Sequence, residues 1–434
     1  MKILVLNCGS SSLKFQLIET TAQLITSNQD RLLIHGSIEK IGSGDSIVAF
    51  SAHGETPAKS SRPILTHKDA IQTAFECMGA APGLVSDLKE IEGVGHRIVH
   101  GGEYFKQSVV IDDDVVRRIE SLIELAPLHN PHNLKGYYAS KALLPHAAQV
   151  AVFDTAFHQT LPPKAYLYGL PYLYYTRDKI RRYGFHGTSH RYVSYRFAQI
   201  HNTTRDAYKL ITCHLGNGCS VCAIDRGKSV DTSMGFTPLE GLLMGTRPGD
   251  LDAGAVLYLV GRAEMGLHEV DVVLNKNSGM YGISGVSNDM RELEVEAAKG
   301  NSRAQMAIDV FCYRVVKYIG AYFAAMNGAD ALIFAGGIGE NAPAIRGQIC
   351  ASLGALGIRL DAKKNDAAVG KEMDISAEAT TTSGVSTNDA AAVPASAQES
   401  SNSATPPRVW VIPTNEELLI ARDTLRCILK IPHG

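Results

Sequence analysis

Residues 2–18, KILVLNCGSSSLKFQLI, and residues 208–224, YKLITCHLGNGCSVCAI, share one plan: an apolar strand, a tight turn of small residues, a second apolar strand. KILVLN is continuously apolar, as a central strand should be. LKFQLIE alternates, setting Leu13, Phe15 and Leu17 on one face and Lys14 and Gln16 on the other. A third glycine turn, Gly336-Gly337-Ile338-Gly339-Glu340-Asn341, follows the apolar run ALIFA. Small residues after a buried strand let backbone N–H groups point at an anion, and glycine lets the chain approach it closely. Three such turns point to a chain that wraps a nucleotide's phosphates from both sides.

Outward from these turns the pattern is α/β. HKDAIQTAFECM has helical spacing, GVGHRIVHGG reads as a strand, residues 112–126 as a helix closed by Pro127, and PLHNPHNLKGYYASKAL as a loop running into a helix. From AQVAVFDTAFH, near residue 150, the same grammar restarts. It continues as a three-strand meander with turns at 216–218 and 226–228, a long helix over 303–327, the strand ALIFA and a helix from about Pro343. The repetition predicts a duplicated α/β unit with a cleft between its halves. Residues 376–407, rich in Ser, Thr, Ala and Pro, read as a flexible surface insertion. Thr414-Asn415-Glu416-Glu417 reads as a capping box with Thr414 as cap, which leaves Glu416 for other work.

A chain of 434 residues has room for two cores. Its net charge of -2 gives no field to attract nucleic acid or an anionic membrane. No apolar run reaches the roughly 18 residues of a spanning helix, and the opening MKILVLNC reads as a first strand rather than a signal. The 8 scattered cysteines suit reduced thiols in a cytosolic protein. Cys219 and Cys222 form a C-x-x-C without a second pair, and residues three apart on a strand face opposite sides, against a metal site.

Several residues carry chemistry. G-x-x-x-x-G-K-[ST] is absent, and the match of 337–342 to G-x-G-x-x-A leaves the other two turns unexplained. Arg97 and Arg247 sit at glycine-bounded loops, where a guanidinium grips carboxylate or phosphate with two prongs. His186 and His190 are spaced as in a zinc helix, but Gly187 is a poor helix former and no Glu follows His186. An imidazole donating to a transferring phosphoryl group suits them better. His129 reads as a site residue or a satisfied core histidine. Asp154, at a strand end, and Glu416 are the carboxylates available to magnesium.

At these residues the chain resembles the acetate kinases, of the acetate and sugar kinase, heat-shock chaperone and actin superfamily. NCGSSSLKF, GHRIVHGG, PLHNP, VFDTAFHQTLP, RRYGFHGTSHRYV, HLGNG, GISGVSNDMREL, GGIGEN and PTNEEL stand in the family's order from end to end. The resemblance implies two ribonuclease-H-like, actin-like ATPase lobes, residues 1–150 with 416–434 and residues 151–415. It implies reversible phosphoryl transfer from MgATP to acetate, with manganese as a substitute metal, in a homodimer. It places magnesium on Asn7 and Glu416, the substrate arginine at Arg97, and the acetate pocket on Val99, Leu128, His129, Phe185 and Pro238. Asp154 becomes the active-site acid, assigned to magnesium and water, and His186 and Arg247 stabilise the transition state. The nucleotide falls on Ser10, Ser12, Lys14, His214, Leu215, Gly216, Asn217, Gly218, Asp289, Met290, Arg291 and Gly336, Gly337, Ile338, Gly339, Glu340 and Asn341. Pro248 and Ala253 depart from the family's usual Ser and Pro, and the proline at 248 stiffens the backbone beside Arg247. Propionate or butyrate kinase is the alternative within enzymes. A nucleotide-binding scaffold is the alternative outside them, and it would have no use for the arginines.

Overall fold

The structure, a computed structural model, describes residues 1–432 other than 53, 80, 82, 128, 263 and 379–404. Leu128 and most of the expected insertion therefore lie outside the described residues. Two sheets organise the rest. The first contains β1 (Lys2–Cys8), β2 (Ser12–Glu19), β3 (Arg31–Glu39), β4 (Ser43–Ala52), β5 (Ala58–Ile64), β6 (Ile91–Ile98), β7 (Val109–Val110) and β8 (Ala148–Phe153), in the order β5-β4-β3-β2-β1-β6-β8-β7. The second contains β9 (Lys209–Leu215), β10 (Cys219–Asp225), β11 (Lys228–Thr232), β12 (Ala331–Ala335), β13 (Met373–Asp374) and β14 (Arg408–Val411), in the order β11-β10-β9-β12-β14-β13.

The duplication is visible in the pairing. β1, β2 and β3 form an antiparallel meander, and β6 and then β8 add in parallel beside β1. β9, β10 and β11 repeat the meander, and β12 and β14 add in parallel beside β9. Each sheet is covered on both faces, as its parallel strands require. Leu4, Leu6 and Phe15 pack with Ile71 and Phe75 of the helix His67–Gly79. On the opposite face Ile3, Val5, Val150 and Val152 meet Ile420 and Ala421 of the last helix, Glu416–Leu429. That helix lies so close to β6 that a Cβ on Gly95 would stand 2.4 Å from the Thr424 hydroxyl. The second sheet packs Phe311 and Val315 of the helix Ser302–Ala325 on one side, and Tyr192 and Phe197 of the helix Gly187–Ile200 on the other.

Four local expectations change. The strand read as opening the second half, β8, lies wholly within the first sheet, so a boundary at residue 150 falls inside it. The turn GGIGEN is itself a short helix, Gly336–Asn341. The last helix is capped by Asn415, whose Oδ1 accepts from Leu418 N at 3.0 Å, rather than by Thr414. Asn serves as well as Thr at such a cap, and Thr414 is held elsewhere: its N–H donates to Glu340 Oε1 at 2.9 Å and its hydroxyl meets Ser189 Oγ at 2.8 Å. Ser376, counted with the insertion, is buried at the sheet edge, its Oγ accepting from Val409 N.

Candidate active site

The parallel strands of both sheets end toward one crevice, where open α/β folds gather ligands. From the first sheet come Asn7 on β1, Arg97 on β6, Val99 just past it and Asp154 just past β8. From the second half come Phe185, His186, Met234, Pro238 and Arg247. With His129 these line a cavity of about 160 Å³. That is smaller than the ~300–1,000 Å³ of pockets that take drug-sized ligands, and suits a small acid.

The two arginines differ in their electrostatics. Arg97 Nε and Nη2 donate to both carboxylate oxygens of Asp154, Nη2–Oδ2 at 2.6 Å. Burial opposes the charge on Arg97, but Asp154, Glu416 and Glu417 together outweigh it and hold the guanidinium above its ordinary value. Burial pushes the Asp154 carboxyl up, and the bidentate contact with Arg97 resists that push. Arg247 has no carboxylate partner among the described residues. Its Nη1 donates to Pro238 O at 2.7 Å, and burial pulls it below its ordinary value. His129, desolvated and facing both guanidiniums, is pulled down to about 4 and is neutral at physiological pH. Cationic Arg247 thus opens onto the cavity without a counter-charge.

Beside it stand two histidines. His186, in the left-handed region at φ 54, caps the helix Gly187–Ile200 and stacks on His214 with ring centroids 4.2 Å apart. Burial, then the neighbouring His214 and Arg97, pulls His186 well below its ordinary value, so the ring is neutral. His186 Nδ1 meets Ser220 Oγ at 2.9 Å, and His214 Nδ1 meets Ser189 Oγ at 2.7 Å. His190 is fully buried between Thr212 and Ser220 and takes no place at the cavity wall.

A second cavity, of about 510 Å³, lies on the far side of the turn Gly216-Asn217-Gly218. Of the residues the resemblance assigns to the nucleotide, Gly216, Asn217, Asp289, Met290, Arg291, Gly337, Ile338 and Asn341 line it, and Asn288, Glu294 and Ala342 join them. Asp289 caps the helix Met290–Ala298 and pairs with Arg291. The turn links the two cavities: Gly216 and Asn217 line this one, while a Cβ on Gly218 would stand 2.8 Å from Arg247 Nη2 and 3.4 Å from His186 Nε2, two residues that line the other.

Other predicted contacts stand apart from both linings. Ser10, Ser12 and Lys14, on the β1–β2 turn and β2, line neither cavity. Leu215 is core, offering its backbone to Gly336, which sits at φ 76 against it. Glu340 is a brace: its carboxylate accepts from Gly336 N and Thr414 N, and burial raises it above the usual range. Cys219 and Cys222 pack into different cores on opposite sides of β10.

Asn7 and Glu416 offer an amide oxygen and a carboxylate, the hard donors magnesium takes alongside phosphate and water. Glu416 lies near enough to Asp154 and Arg97 to act on both. Thr188, unnoticed in the sequence, joins them: its hydroxyl donates to Glu416 Oε1 at 3.3 Å and also bonds Asp154. Its place two residues after His186, in the first turn of a helix aimed at the crevice, was the available signal. Among the described residues no cluster of three or more His, Cys, Asp or Glu could cage a metal without help from substrate oxygens.

A model of the acetokinase family matches residues 2–395. A Natranaerobius thermophilus protein named acetate kinase is 50% identical over 424 residues, 98% of each chain. One from Chloroherpeton thalassium is 49% identical over 441 residues, covering 99% of this chain and 100% of its own. Among solved structures, Porphyromonas gingivalis acetate kinase superposes with a TM-score of 0.86 at 41% identity, over 98% of this chain and 99% of that one. A propionate kinase from Francisella tularensis gives 0.84 at 40% identity, over 99% and 100%. The repeated sheets are therefore the two halves of the duplicated actin-like ATPase fold. The chain belongs to the acetokinase family.

Proposed function

We propose that the chain is a carboxylate kinase that transfers the γ-phosphoryl group of ATP reversibly to acetate, giving ADP and acetyl phosphate. The observation that carries this is the glycine turn that lines the larger cavity and lies against Arg247 and His186 of the smaller one. A nucleotide seated against Gly216, Asn217 and the 289–291 segment has its phosphates at the Gly216–Gly218 turn, on whose other side unpaired Arg247 faces a cavity of small-acid size.

The transferring group spreads negative charge over its equatorial oxygens, so positioning and cations do most of the work. Arg97, held rigid by Asp154, and Arg247 aim the acid's carboxylate, while Val99, Phe185, Met234 and Pro238 enclose its methyl group. His186 donates to the phosphoryl oxygens. The acid, with a pKa of about 4 to 5, is already ionised at neutral pH, so no general base is required. Asn7 and Glu416 hold magnesium, for which manganese substitutes. When bound, the ion neutralises phosphate charge. Because both Asp154 oxygens are engaged by Arg97, we assign Asp154 to fixing that arginine and the water around the metal rather than to direct ligation.

Propionate is the second reading, since one methylene in an apolar pocket is worth only ~1–3 kcal/mol and the Francisella tularensis relative bears that name. A hydroxamate assay with acetate, propionate and butyrate tests both readings. Acyl phosphate from acetate, with the highest kcat/KM, is expected; none from any acid would sink the proposal.

We further infer a homodimer in the cytoplasm. The helix Ala253–Gly261 is almost wholly apolar yet buries no residue, with Leu257 72% exposed, as an interface would leave it in one protomer. Light scattering should give twice the chain mass. Cys8, Cys77, Cys213, Cys219, Cys222, Cys312 and Cys350 carry free thiols, as a reducing compartment would keep them. Among the described residues no helix is long and apolar enough to cross a membrane.

A further inference from the structure

His186 cannot serve as a donor unless its proton sits on the nitrogen that faces the cavity, and a neutral imidazole carries a proton on one nitrogen only. What fixes that choice is buried behind it. His186 Nδ1 meets Ser220 Oγ at 2.9 Å, the same hydroxyl meets His190 Nε2 at 2.8 Å, and His190 Nδ1 meets Thr212 Oγ1 at 2.7 Å. Ser220, His190 and Thr212 are each 0% exposed. Among the described residues, the Thr212 hydroxyl has no hydrogen-bond partner besides His190, and Ser220 Oγ none besides the two rings.

The hydrogens can be placed by elimination. If Thr212 donates to His190 Nδ1, then His190 Nε2–H donates to Ser220, Ser220 donates to His186 Nδ1, and His186 carries its proton on Nε2. Every buried hydrogen then has an acceptor. Reversing the run leaves the Thr212 hydroxyl hydrogen with no acceptor among the described residues, at a side chain that is 0% exposed. If both rings donate to Ser220, its own hydrogen is stranded. An orphaned buried donor is what folded proteins avoid.

We propose that Thr212, His190 and Ser220 form a one-way hydrogen-bond chain that locks His186 as the Nε2–H tautomer, making all three positioning residues for the transferring phosphoryl group. The donor is thereby presented beside Arg247, since both His186 Nε2 and Arg247 Nη2 flank Gly218. The chain runs through three elements: Thr212 on β9, Ser220 on β10 and His190 one turn into the helix that His186 begins. Hence the i, i+4 histidine spacing sets one ring behind the other, with the Ser220 hydroxyl bonded to both. The proposal rests on the reading of His186 as a donor.

The test is long-range proton–nitrogen NMR on histidine-labelled protein without substrates, with His186 assigned by the signals lost in His186→Gln. His186 is expected as Nε2–H. An Nδ1–H tautomer overturns the proposal, whatever the activity. Thr212→Val keeps the shape but removes the anchoring hydroxyl, and should lower kcat roughly 10- to 100-fold, as loss of a histidine's orienting partner does. KM for acetate should not move, and Thr212→Ser should recover the rate. Wild-type kcat in Thr212→Val also overturns it. If that variant does not fold, the tautomer of the unaltered protein decides alone. An Nε2–H ring in a protein that makes no acyl phosphate would fail the assigned activity and leave the chain standing.

Discussion

Arg97 and Arg247 carry the same charge in opposite settings. The first is neutralised and aimed by Asp154; the second is desolvated with no anion to meet it. Arg247→Ala therefore removes a cation that meets an anion only once substrate is bound, and should cost on the order of 10² to 10³ in turnover with the fold intact. Steady-state kinetics beside a melting curve checks this. Asp154→Asn acts through its partner: it leaves Arg97 buried and loosely held, so KM for acetate should rise as kcat falls. Near-normal rates and magnesium dependence would contradict its assignment. At this scale the sequence was informative wherever a charged residue followed a strand or sat in a glycine loop, as Arg97, Asp154 and Arg247 do. Thr188, Ser220 and Thr212 escaped notice because small hydroxyl residues on strands and helix starts are common, and their meaning lies in partners distant along the chain.

The turn between β9 and β10 shows what glycine does at the level of an element. Gly218 is required by proximity, since a Cβ there would stand 2.8 Å from Arg247 Nη2 and 3.3 Å from His186 Cε1. Gly218→Ala should push the guanidinium aside and lower kcat about 10²-fold, the cost of a displacement near 1 Å, while melting changes little. Unchanged turnover would mean the turn does not set the arginine's position. The strands themselves were legible because their apolar runs and turn residues agree. The last helix was read one residue early, since Thr414 and Asn415 are both good caps and only the tertiary contacts of Thr414 with Ser189 and Glu340 decide between them. Glu340 was read as a phosphate-turn contact along with the rest of its motif; its brace to Thr414 spans 74 residues and has no local signature.

For the molecule as a whole, buried histidines set the response to acid. His96 and His158 are enclosed, and desolvation pulls both down to about 4. In the unfolded chain each returns to about 6.5. Between those values the unfolded state binds more protons than the folded one, so stability falls as the pH drops below 6.5 and is level above about 7. Each histidine contributes roughly 1.4 kcal/mol per pH unit in that window. The melting temperature should drop clearly from pH 7.5 to 5.5; an equal value at both would show that these rings accept protons while folded. The duplicated architecture was foreseeable because each copy begins with the same strand–turn–strand. That β8 belongs wholly to the first sheet was not, since its apolar sequence fits either sheet.

The repeated strands also separate what is shared from what is particular. The wall around the acid, Met234 to Arg247, and the segment beside the nucleotide, Asn288 to Glu294, both belong to the single connection from β11 to β12. Part of each lining is thus written into one stretch of chain, while Val99 and Phe185 on the acid side and Gly216, Asn217 and Gly337 on the other lie outside it. A transplant of that stretch between relatives should shift preference only in part, leaving the inherited scaffold to recipient and donor alike.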